Sequence, residues 1–250
     1  MFNIDLASII AILVTCVIVF GLARLAVRNL SVTKPTKMQN FMEWVVEFVQ
    51  GIIANTQDFK KGKIYLSLAM TLIMFIFVSN LVGLPLLITT EHHEPLSLFG
   101  YEIVSQADIE HGIDEGHEGA EVSWWKSPTA DLSVTAGLAL TVFVVIHFEG
   151  IRRNRKHYVK HYFEPFWFFL PINLLENLSK PLTLALRLYA NIYAGEVLIS
   201  TILGAGIYGI PLMVVWQGFS LFVAAIQAFL FTILSMVYIA QATTHEEEHA

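Results

Sequence analysis

The chain has 250 residues, of which 55% are hydrophobic and 14% charged, with a mean hydropathy of +0.61 and a formal net charge of −6. Soluble domains carry about 25% charged residues, so the composition excludes an ordinary soluble globule. No Walker-type phosphate loop, no Cys/His metal spacing and no strand-plus-glycine nucleotide fingerprint occurs, and the single Cys16 excludes an internal disulfide.

Taken in chain order, Leu6 to Val27 is apolar except for Arg24 and is long enough to cross the roughly 30 Å core of a bilayer. Asp5 and the lack of a basic leader predict a retained anchor rather than a cleaved signal peptide. Over residues 37–57, Met38, Phe41, Val45, Val49, Ile52 and Ile53 recur at helical spacing, with Asn40, Glu43, Glu47 and Gln50 opposite. That pattern predicts an amphipathic helix lying on a membrane face, a helix packed on soluble protein being the alternative. Residues 64–88 hold no charge beyond the flanking Lys63 and predict a second span.

The stretch 89–131 reads as a polar, acidic loop, closing on Trp124 and Trp125, residues suited to the headgroup level. It contains His92, His93, His111 and His117, which read as a solvated loop; a metal site would need a ligand spacing the loop lacks. A third span is predicted over 132–148, followed by a basic stretch with Arg152, Arg153, Arg155, Lys156 and Lys160. Seven Lys or Arg fall between Arg24 and Lys63, while the 89–131 loop has one against ten acids. The positive-inside rule then places the basic stretches and the Glu246–Glu248 tail in the cytoplasm and the N-terminus outside.

Residues 166–203 and 210–242 form the last two elements, about 57 Å and 50 Å long if helical. Each exceeds an ordinary span, so they either break, at Pro171 or Pro181, or lie strongly tilted as a hairpin turning near 204–209. The tilted hairpin is the expectation. Charge inside the first arm is costly, about 2.5–3.5 kcal/mol per residue at mid-bilayer on insertion scales. At about 100° per residue, Asn173, Glu176, Lys180, Thr183 and Asn191 fall near Arg187, and Glu196 falls on the opposite side. Glu176 and Lys180, one turn apart, are spaced for an internal ion pair; Arg187 has no acid one turn away. The second arm carries a stripe of Trp216, Ser220, Gln227 and Tyr238, which reads as interhelical hydrogen bonding.

The run from Lys180-Pro181 through Arg187-Leu188-Tyr189-Ala190-Asn191 to Ala194-Gly195-Glu196 resembles the signature of the a subunit of F-type ATP synthases, as does Ile226-Gln227-Ala228-Phe229. Met38 to Trp44 and Trp124 to Asp131 look like the forms found in Gram-positive bacteria. The resemblance implies an all-α integral membrane protein with about five embedded helices plus one surface helix. It implies no bond chemistry, no cofactor and no metal. It would be a multi-pass stator subunit of a bacterial plasma membrane, with the c-ring, the b subunits of the peripheral stalk and membrane lipid as partners, and no nucleic acid. The translocated ion would be H+, with Na+ the alternative. Arg187 matches the rotor-facing arginine, Glu196 the carboxylate of the inlet half-channel and Glu176 an acid of the outlet one. Asn191 and Gln227 match polar groups beside the arginine. Ser220 stands where some members have a His in the inlet path, and Tyr189-Ala190 where some have Phe-Gly. An independent transporter with a buried arginine is the competing class, against which no inverted repeat is visible.

Overall fold

The computed structural model describes residues 6–83, 88–98, 101–106, 109–110, 113, 120–163, 166, 168, 170–204 and 206–244. His111, His117, the 84–87 end of the predicted second span and the Glu246–Glu248 tail lie outside these residues.

Helix α1 spans Leu6–Val27 and α2 spans Lys37–Thr56. Thr36 starts α2 by accepting the Gln39 N–H at 3.1 Å, one of the amides a helix start leaves without a partner. The Gln39 side chain then donates to the Ser31 carbonyl and to Glu43, fixing the connection from α1. Val45, Val49, Ile52 and Ile53 of α2 are buried against Tyr65, Ala69, Met236 and Ile239. Phe41 and Trp44 remain exposed beside that face. A short helix α3 (Phe59–Gly62) and a 3-10 turn lead into α4 (Leu66–Gly83).

Beyond α4 the chain forms two small antiparallel ribbons that the reading of an acidic loop did not include. Strand β1 (Ile88–His92) pairs with β4 (Ala120–Trp125), and β2 (Leu96–Leu98) pairs with β3 (Tyr101–Val104). Ile, Thr, Val, Tyr and Trp in these short runs favour a pleated, half-buried surface. The indole N–H of Trp125 donates to the Val82 carbonyl at 3.2 Å, tying β4 to the end of α4.

A 3-10 turn at Pro128–Ala130 follows, and Asp131 caps the next helix by accepting the Ser133 N–H at 2.8 Å. Helix α5 (Leu132–Phe163) has 32 residues and so runs past the expected end near 148. After Gly150 no Gly or Pro interrupts it, and its Arg and Lys are good helix formers, so the helix continues where the apolar stretch stops. Helix α6 (Leu170–Gly204) and helix α7 (Ile210–Thr244) each have 35 residues. Helix α6 passes through Pro181 without ending. A 3-10 turn joins the two arms at Gly206–Gly209, where Gly206 has φ +61°, a left-handed conformation that glycine tolerates without strain.

One core joins four helices: Leu72 and Ile76 of α4, Val142 of α5, Leu188 and Ile192 of α6, and Phe231 of α7. Among the described residues, five helical stretches are long and apolar enough to cross a membrane: Leu6–Val27, Phe59–Gly83, Leu132–Arg153, Leu170–Ile199 and Ile210–Thr243. The chain is an all-α integral membrane protein with a minor β element.

Candidate functional site

Helix α6 has two faces. Leu184, Ala185, Leu188 and Ile192 are buried against α4, α5 and α7. The other face is exposed and largely apolar, with Leu175, Leu178, Leu182, Leu186, Tyr193 and Val197 along it. Arg187 lies on that outer face, exposed, and no carboxylate pairs with it among the described residues. One turn to either side stand Thr183 and Ala190, with Ala194 a further turn on, all exposed. Small side chains around a guanidinium leave a shallow place where another helix can come close.

Glu196 sits nine residues beyond Arg187, about 13 Å along the axis, and is half-buried. Its Oε1 accepts the backbone N–H of Ser127 at 3.0 Å, a contact between residues 69 positions apart. Lys126 acts on the same carboxylate electrostatically. Nearby, Asn191 and Ser220 line one pocket of about 80 Å³ between the arms, together with Gly195, Trp216 and Phe219. The Trp216 Nε1 and the Ser220 Oγ are buried and without a hydrogen-bond partner among the described residues. Burying such groups dry is unfavourable, and a pocket of this size has room for several waters.

Toward the other end of α6, Lys180 Nζ meets Glu176 Oε1 at 3.2 Å, the one-turn pairing its spacing allowed. The same ammonium lies 5.9 Å from the centre of the Tyr238 ring on α7. Glu176 and Glu196 are thus separated by 20 residues, about 30 Å along the helix, with Arg187 near the middle. Gln227 is half-buried on α7. Its neighbour Ala228 and the Arg187 neighbour Leu188 share the central core, but no hydrogen bond joins Gln227 to Arg187.

The structure therefore joins Asn191 to Ser220 and Glu176 to Lys180, and leaves Arg187 alone on its face. It adds Ser127, Thr129 and Asn80, which had drawn no attention as site residues. Asn80 did carry a signal, being the one amide side chain in an uncharged span. The Ser127 contact had none, because a backbone N–H is common to every residue except proline. No group of three metal-ligating side chains occurs among the described residues.

These features define a multi-pass membrane bundle whose polar groups are concentrated on one long helix and its partner. Residues 8–240 match the family described as ATP synthase A chain. The chain is also 41% identical over 251 aligned positions to "ATP synthase subunit a" of Staphylococcus aureus strains JH9 and Newman, covering 97% of this chain and 92% of each relative. The chain belongs to the ATP synthase A chain family, of the Gram-positive type. Membership gives it the role of proton-translocating stator in the membrane sector of the synthase, an ion-conducting subunit without catalytic chemistry of its own.

Proposed function

We propose that this chain carries ions to and from the c-ring through two half-channels that meet the rotor on either side of Arg187. The observation that supports this most is the place of Arg187, an exposed cation on an apolar helix face. Facing lipid, such a charge costs several kcal/mol; facing a rotor carboxylate, it has a partner. Arginine suits the role because it stays charged where a lysine gives up its proton. Its field favours the ionised rotor site, so a carboxylate passes it only after releasing its proton. The same positive charge opposes an ion slipping directly between the two half-channels.

Glu196 with Ser220, Asn191 and the pocket between the arms forms the inlet side, and Glu176 belongs to the outlet side. Gln227 lines the meeting of the arms beside Arg187. The roughly 30 Å between the two carboxylates supports separate paths that only the turning ring connects. The arms are each about 52 Å long, and fitting them within a 30 Å core implies a tilt of about 55° from the membrane normal. The N-terminus lies outside and the C-terminus in the cytoplasm. The partners are the c-ring, the b subunits and lipid, and the ion is H+, with Na+ the alternative. ATP-driven acidification of inverted vesicles tests the reading. Arg187→Ala is expected to abolish pumping at an unchanged level of assembled complex, and normal pumping by that variant would refute the mechanism.

A further inference from the structure

Four polar residues at the outer end of α4 and in the turn before α5 are completely buried: Ser79, Asn80, Ser127 and Thr129. They form one chain of contacts. The Thr129 hydroxyl donates to Asn80 Oδ1. A hydroxyl has one proton, so with that proton used, Thr129 Oγ1 accepts from Ser127 Oγ at 2.8 Å. Ser127 Oγ also lies 3.3 Å from the Ser79 carbonyl oxygen. Gly83 completes the fit: a methyl group there would run into the Cα and Cβ of Ser127, so the turn rests directly on the α4 backbone. Trp125, two residues earlier, is tied to Val82.

All of this fixes one residue, and that residue's backbone N–H is the donor to Glu196. We propose that Asn80 and Thr129 are positioning residues for the Glu196 carboxylate, acting through the Ser127–Ala130 turn that holds the Ser127 N–H against it. The inference rests on Glu196 being the inlet carboxylate. The Ser127 N–H narrows the rotamers open to the carboxylate and keeps it where outer water arrives. The amide Nδ2 of Asn80 and the Oγ of Ser79 have no partner among the described residues.

The test uses the assembled complex in inverted vesicles, reading ATP-driven acidification at matched complex level. Thr129→Val keeps the shape and removes the hydroxyl, and pumping is expected to fall about tenfold, the scale on which the Ser127 N–H bond to the charged Glu196 carboxylate is lost once the turn is no longer held. Thr129→Ser is expected to restore pumping to within about twofold, which a space-filling role would not give. Gly83→Ala, which pushes the turn from the other side, is expected to match Thr129→Val. Parental pumping by Thr129→Val alongside an impaired Glu196→Gln overturns the positioning role and leaves the reading of Glu196 standing. Failure of Thr129→Ser to restore pumping also overturns it. Normal pumping by Glu196→Gln instead removes the inlet reading and this proposal with it.

Discussion

Removing Glu149 offers a stability test whose size follows from the structure. Its carboxylate, only 8% exposed, accepts from Arg152 Nη1 and Arg153 Nε at 3.2 Å each, at one-turn spacing on α5. The two bonds are not equal. Arg152 is 61% exposed, and a solvated pair of this kind contributes about 0–1 kcal/mol, less in high salt. Arg153 is 28% exposed, so losing its partner strands a cation that water reaches only in part. Breaking a fully buried pair costs about 3–5 kcal/mol. Both arginines keep some access to water, which brings the estimate for Glu149→Ala down to about 1–3 kcal/mol. The assay is a double-mutant cycle on thermal unfolding of the purified chain in detergent. Arg153→Ala is expected to recover at least half of the Glu149→Ala loss, and Arg152→Ala little of it. Strict additivity of Glu149→Ala and Arg153→Ala would refute the reasoning.

Two further outcomes are expected. Leu188→Ala opens the four-helix core at a residue only 1% exposed; because lipid is as apolar as the core, only the packing part of the usual 2–5 kcal/mol is lost, about 1–2 kcal/mol in thermal unfolding. Ser220→Ala removes the unpartnered hydroxyl from the pocket between the arms; if water there serves the inlet, pumping falls by about threefold or more, whereas a dry pocket would leave pumping unchanged and raise stability.

What the sequence made legible follows from the solvent it is built for. A bilayer demands long apolar runs, and such runs mark four of the crossing helices, while α6 was marked by its length despite the charges it carries. That Arg187 would lack a carboxylate partner within α6 was legible too, since no acid lies one turn from it, whereas Lys180 has Glu176. The β ribbons were not, because β1 and β4 are only five and six residues long and stand in a stretch whose acids and histidines read as loop. The end of α5 escaped because apolar length reports membrane thickness, while the helix stops only where backbone or side chains oppose it. Least legible was the hold on Glu196. It depends on a main-chain donor, a glycine that permits contact and two small polar residues from distant segments, none of them unusual alone.

The exposed face of α6 has a consequence for how the protein comes into being. Before any ring is present, Arg187 and its surrounding leucines must still be placed somewhere, and lipid accepts the leucines but not the guanidinium. If that face meets the rotor as proposed, the unassembled chain carries a local penalty of about 2.5–3.5 kcal/mol that assembly removes. Such a residue marks the orphan subunit as incomplete, favouring late joining or early degradation.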